Sequence, residues 1–352
     1  VRPSPLARLL FAVYLLLVVY ASLYPLSGWR VHGGSPFEFL GTPWPRQVLV
    51  FDALANVAAY AVLGLLAALA WRPRLRGARS VLAATALGAL LSLALEAAQS
   101  YLPARAASGL DVLCNAVGAF LGALAGQRLA PWEAPLRAWR ARVLQPGAHA
   151  DFGLALLGLW LFTQLNPAML LFGVGDLRDL LVGPAGPARA PELFVAIEAV
   201  TAAANLAAIA LLASAIAIPG APVRAMVVAL VLVGLAVKTF AFAVILRAQD
   251  GLDWLTPGAV QGLVAGLAVA MLAVSLPRVA RLALAAVLLM AAAVLVNLAP
   301  QNPYMAAMLK LWQQGHFLNF NGLTRLVATL WPFVATAFLI HLAARRREET
   351  LL

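Results

Sequence analysis

The chain has 352 residues, of which 63% are hydrophobic and 11% charged. So few charges cannot cover a water-exposed surface, and a mean hydropathy of +0.90 belongs to chains whose elements face lipid, so a water-soluble fold is excluded. Lys and Arg number 25 against 14 Asp and Glu, a net charge of +11, but the arginines cluster in short gaps between apolar runs, where they read as topology signals and not as a nucleic-acid surface.

A helix rising about 1.5 Å per residue needs about 20 apolar residues to cross the hydrocarbon. That rule predicts ten spans: 6–25, 51–71, 80–101, 110–129, 151–173, 192–217, 223–246, 257–276, 280–298 and 323–343. The expected fold is all-α, a polytopic integral membrane bundle. An even number of spans puts both termini on one side. With the N-terminus inside, 16 Lys and Arg fall on the cytoplasmic side, including Arg72, Arg74, Arg76, Arg79 and Arg345 to Arg347, and 8 on the other, with Lys238 inside a span. Arg105 and His316 are then external. The stretch 131–150, with Trp132, Leu136 and Trp139 among three arginines, reads as an interfacial linker between a four-helix domain, 1–130, and a six-helix domain, 151–352.

An ionisable residue within a span costs roughly 2.5–3.5 kcal/mol on insertion scales, so each needs a partner or a role. Asp52, Asn56 and Tyr60 stand at i, i+4 and i+8 on the second span and share a face. Gly88, Ser92, Glu96 and Gln99 do the same on the third. Asp111, Asn115, Gly118, Gly122 and Gly126 form one stripe on the fourth, whose repeated small residues permit close backbone approach. Three polar stripes therefore have a common meeting place, open towards the outer side. Asp52 and Asp111 are also well placed as helix N-caps. Arg105, in the short turn 103–110, is the nearest cation for Glu96 and Asp111, and a guanidinium suits a carboxylate.

The run Glu96-Ala97-Ala98-Gln99-Ser100-Tyr101-Leu102-Pro103-Ala104-Arg105, followed by Asp111, Asn115, Gly118 and Gly122, resembles the VanZ-like family of bacterial membrane proteins. Tyr20-Ala21-Ser22-Leu23-Tyr24-Pro25 and Phe51-Asp52 with Asn56 and Tyr60 extend the resemblance over about residues 8–128. The second-span motif departs from a common form of the family, with Ala53 and Asn56 near the places of an acidic-lysine pair and a histidine. The resemblance implies a multispan protein of the bacterial inner membrane and cell envelope, in a family whose namesake is associated with resistance to the lipoglycopeptide teicoplanin. It supplies no reaction.

In the second half, Glu198, Thr201 and Asn205 share a face of the sixth span, and Lys238 on the seventh stands at a depth compatible with an ion pair to Glu198. The stretch 300–322 concentrates polar and aromatic residues, among them His316, Asn319 and Asn321, a combination that suits a sugar or a lipid headgroup. Cys114 is the lone cysteine, and the 4 histidines show no zinc spacing, so no metal and no cofactor are expected. Phosphate loops, dinucleotide fingerprints, metalloprotease pairs and nucleophile elbows are absent. Three classes of function fit this pattern. The first is recognition of a membrane lipid or lipid-linked glycan at the outer leaflet. The second is an intramembrane enzyme with Glu96 or Asp111 as acid or base and Arg105 on an anionic headgroup. The third is a proton-coupled transporter using Glu198 and Lys238. No catalytic residue can be assigned, and the pattern fixes no oligomeric state.

Overall fold

The computed structural model describes residues 5–31, 33–42, 50–178, 191–246, 248–300, 302 and 318–351. Among them the chain forms eleven α-helices: α1 (Pro5–Leu23), α2 (Val50–Ala70), α3 (Gly77–Gln99), α4 (Gly109–Leu129), α5 (Glu133–Ala141), α6 (Ala148–Thr163), α7 (Pro191–Ala215), α8 (Val223–Ala241), α9 (Pro257–Ala273), α10 (Arg278–Leu298) and α11 (Leu318–Leu351). Eight helices are long and apolar enough to cross a membrane; α6 and α9 are shorter apolar helices. The protein is a polytopic, multi-pass helical membrane protein. The chain divides into two compact units, Val1–Arg140 and Ala141–Leu352.

In the first unit α2 and α4 make the most extensive contact, with α3 against α4 and α1 against α2. Glycine explains the α2–α4 approach. A Cβ added at Gly118 would strike the Val57 carbonyl oxygen, and one at Gly122 the Ala61 carbonyl oxygen. Gly64 of α2 returns the contact, lying against the Ala119 carbonyl. Backbones that touch leave no room for large side chains, so the seam is filled by Ala67, Ala68, Ala119 and Ala123, all fully buried. Tyr60, Leu63 and Leu95 pack beside it with Val18 of α1, and the Tyr14 hydroxyl donates to the Ala59 carbonyl at 3.0 Å. On the outside, Leu16, Leu54, Leu82 and Leu90 are more than 60% exposed. Such surfaces suit lipid contact. Helix α5 is fixed by Glu133, which pairs with Arg72 at 3.2 Å and more loosely with Arg137 at 3.9 Å.

In the second unit α7 is the central helix, packed against α9 and α10. Its residues from Asn205 to Ala215 are all buried. Gly258, Gly262 and Gly266 put one narrow edge of α9 onto it; a Cβ at Gly262 would lie 2.6 Å from the Ala199 carbonyl oxygen. Helix α11 packs on α10 and α6, where Trp331 Nε1 donates to the Leu156 carbonyl at 2.7 Å. Pro332 lies inside α11 and has no N–H to offer the carbonyl four residues back. That carbonyl, of Ala328, accepts the Gly175 N–H at 2.8 Å instead.

Four spans differ from expectation, and one of them, expected over 257–276, is the shorter helix α9, which ends at Ala273. The run expected to be helical over 151–173 stops at Thr163. Asn166 precedes a proline, which disfavours helical backbone there, and side chains turn the chain: Gln164 Oε1 accepts from Phe172 N–H at 3.2 Å and Asn166 Oδ1 from Ala168 N–H at 2.9 Å. The span expected over 223–246 is regular only to Ala241 and passes into a wider π-turn, Phe242–Leu246. Helix α11 extends beyond 323–343 at both ends.

Replacing Gly122 by leucine should lower the melting temperature in detergent, because overpacking typically costs about 1–3 kcal/mol and here the obstacle is backbone. Gly158→Ala is the control: nothing lies within 4 Å of its added Cβ, so it should melt with the parent or above it. Equal melting of Gly122→Leu and the parent would contradict the packing.

Candidate functional site

At one end of the first unit α1 and α3 finish while α2 and α4 begin, and the polar stripes meet there. Asn56 Nδ2 donates to Asp111 Oδ1 at 3.0 Å, joining α2 to α4. One turn deeper, Asn115 Nδ2 donates to Ser92 Oγ at 2.9 Å, joining α4 to α3. Glu96 is 5% exposed, and its Oε2 accepts the Ser108 N–H at 2.8 Å. Ser108 is the N-cap residue of α4, so a carboxylate from α3 satisfies backbone at the α4 start. Asp111 is therefore not the N-cap of α4. It lies in the first turn, where the helix dipole favours a negative charge, and Asp52 has the same place in α2.

Arg105 departs from the expected carboxylate pairing. Its Nε donates to the Tyr24 carbonyl at 3.1 Å and one terminal nitrogen donates to the Ala21 carbonyl at 2.8 Å. Gln99 Nε2 donates to the Ser22 carbonyl at 2.9 Å. All three acceptors lie at the end of α1, where the last carbonyls have no helical partner. Burial lowers the Arg105 pKa and the charge of Glu96 pulls it back up, so Glu96 acts on the guanidinium at a distance. Asp111 acts on Glu96 in the same way, and Asp52 on Asp111. The site thus gathers three carboxylates, while its arginine is engaged with backbone. Asp111 Oδ2 and Glu96 Oε1 accept no hydrogen bond among the described residues.

The second unit holds a separate polar cluster. Lys238, 1% exposed, donates to the Asn166 carbonyl at 2.8 Å and the Met169 carbonyl at 2.7 Å, with the Phe242 ring centre 5.6 Å away. Glu198, 3% exposed, accepts from the Thr256 hydroxyl and interacts electrostatically with Lys238 without a direct ion pair. Asn166 Nδ2 donates to Asn321 Oδ1 at 3.1 Å and to Thr324 Oγ1 at 3.0 Å. Asn319 is half-buried two residues before Asn321 in α11; His316 lies outside the described residues. The sequence singled out Glu198, Lys238 and Asn321 but missed Asn166, Thr256 and Thr324. An Asn-Pro step ending an apolar run was the available signal for Asn166.

A third polar knot, also unforeseen, is Asp176 with Arg178, paired at 2.6 Å. Burial pushes the Asp176 carboxyl up, but the Arg178 guanidinium and backbone N–H outweigh it and hold the pKa below the usual range. Arg178 also donates to the Ala299 carbonyl at 3.1 Å, and Asn297 Nδ2 to the Gly175 carbonyl at 2.7 Å. These bonds fasten the segment after α6 to the end of α10. No group of three or more His, Cys, Asp and Glu that could hold a metal ion occurs among the described residues.

Because Arg105 serves carbonyls, Arg105→Ala should lower stability by about 1.5–3 kcal/mol, the range for hydrogen bonds from a charged group, and most of that loss should persist in a Glu96→Gln background. If the loss vanished in that background, an ion pair with Glu96 would be the main bond.

No curated protein and no solved structure matches this chain. Residues 11–129 match the family model described as VanZ/LLP1. The matched stretch runs from within α1 to the end of α4 and contains every member of the first polar cluster. Over this stretch, about a third of its length, the chain is similar to the VanZ-like family of membrane proteins.

Proposed function

We propose that the VanZ-like unit binds the polar headgroup of an envelope lipid or lipid-linked glycan in the outer leaflet of a bacterial inner membrane, and alters that molecule's exposure or availability. One observation carries the reading. Glu96 and Asp111 each use one carboxylate oxygen for helix contacts, leaving the other without a hydrogen bond among the described residues. Glue between helices would be complete when both oxygens were used; these carboxylates retain acceptors for a ligand.

The charge balance refines the ligand. Arg105 is committed to the end of α1, so its grip on an anionic headgroup is not what the geometry favours. Asp52, Glu96 and Asp111 instead suit a headgroup rich in donors, such as sugar hydroxyls or an amine. A role in glycopeptide resistance would follow if the bound molecule were the precursor or neighbour of the antibiotic's target.

Glu96→Gln and Asp111→Asn keep shape and remove charge. Both should insert and melt like the parent yet retain about tenfold less co-purifying lipid in native mass spectrometry, a loss of about 1.4 kcal/mol, and lose any effect on teicoplanin susceptibility. Unchanged lipid retention in two folded variants would make the carboxylates structural. A cysteine placed at Ser108 checks the side: labelling from the cytoplasm alone would overturn the outer-leaflet assignment.

A further inference from the structure

Lys238 stands where several helices of the second unit lose their regular form. Helix α6 ends at Thr163 and the chain turns, presenting the Asn166 and Met169 carbonyls to the ammonium. The π-turn of α8 begins four residues after Lys238, at Phe242. The N-cap of α9, Thr256, bonds Glu198. Broken helices whose carbonyls converge inside a membrane protein make a cation site, since a carbonyl oxygen outside a helical ladder has a lone pair to offer a positive charge. The Asn166 carbonyl takes only a long 3.4 Å bond from the Met169 N–H besides the ammonium.

The oxygen set is larger than a lysine needs. An ammonium offers three donors, and two go to the carbonyls of Asn166 and Met169. Beyond these lies the Glu198 carboxylate. On the same stripe of α7 the Thr201 hydroxyl and Asn205 Oδ1 have no hydrogen-bond partner, in residues that are 0% exposed. Buried polar oxygens are paired in nearly all native proteins, so two orphans beside a carboxylate point to a ligand that oxygen satisfies.

We propose that the second unit carries a monovalent-cation site at which the Lys238 ammonium and an alkali cation such as sodium compete for the Asn166 and Met169 carbonyls beside Glu198. The exchange conserves charge. Lys238 Nζ releases one proton to water and becomes a neutral amine; the alkali cation brings the positive charge that replaces it, and the buried total opposite the Glu198 carboxylate is unchanged. Glu198 is the one charged group that acts electrostatically on Lys238 among the described residues; the segment after α6 contributes carbonyls, α9 acts through Thr256 on Glu198, and α11 acts through Asn321 and Thr324 on Asn166. This site is separate from the headgroup reading of the first unit and stands or falls without it.

The test uses the full chain, purified and lightly buffered, with sodium, potassium or choline chloride at equal ionic strength between about pH 6 and about pH 10. Sodium should raise the melting temperature relative to choline, its apparent affinity growing about tenfold per pH unit while the ammonium competes, and its addition should release about one proton per chain. Lys238→Met removes the competitor, so its stabilisation by sodium should become independent of pH; Glu198→Gln should abolish it. Equal melting of the wild-type protein in all three salts across the range, with no proton released, would overturn the proposal and leave Lys238 as a structural tie between α8 and the segment after α6. That wild-type result decides the matter even if Lys238→Met does not fold. Stabilisation by sodium that is the same at every pH in the wild-type protein would also overturn it, because a cation bound without displacing the ammonium is bound elsewhere.

Discussion

In hydrocarbon an unpaired backbone carbonyl has no water to turn to, and this constraint governs where the charged side chains go. Helix ends and proline release carbonyls, and nearby donors meet them. Arg105 takes those of Ala21 and Tyr24, Lys238 those of Asn166 and Met169, and Arg178 that of Ala299. Pro332 frees the Ala328 carbonyl, which Gly175 N–H fills. These bonds tie described segments at the helix ends to other parts of the same unit. With Arg105 so engaged, Glu96 and Asp111 keep acceptors of their own.

Close packing supplies the second half of the arrangement. Gly118 and Gly122 let α4 lie against the α2 backbone, where Asn56 reaches Asp111, and Gly88 of α3 lies against Ala119 of α4, where Asn115 reaches Ser92. Sequence, packing and site are thus linked by one stripe of α4: its glycines set the distance, and the polar residues at its start use it. The second unit repeats the logic with Gly258, Gly262 and Gly266 of α9 against α7, which brings Thr256 to Glu198.

Hydropathy and length made the membrane class and the positions of the helices legible, because a lipid-facing helix must be apolar over a fixed length. Spacing also revealed that Asn56, Asn115 and the glycines share faces, since a helical period carries that information directly. Partners were harder to read. Charge is visible in a sequence and points Arg105 to a carboxylate, whereas every residue carries a backbone carbonyl, so nothing in the sequence marks those of Ala21 and Tyr24 as its partners. The early end of α6 was hidden for a related reason: the run to Phe172 is apolar enough to span, and only the Asn-Pro step at 166–167 interrupts it. Asn166 links Lys238 to α11 only because the chain turns there.

The central claim is that cations near the helix ends serve backbone, leaving Glu96 and Asp111 free to take a headgroup. Cryo-electron microscopy of the protein in nanodiscs made from its native lipids tests this most directly. The account predicts the Arg105 guanidinium on the carbonyls of Ala21 and Tyr24, with headgroup density within hydrogen-bonding reach of Asp111 Oδ2 or Glu96 Oε1. A guanidinium turned onto Glu96 or Asp111, with only acyl chains covering that end of the bundle, would contradict it.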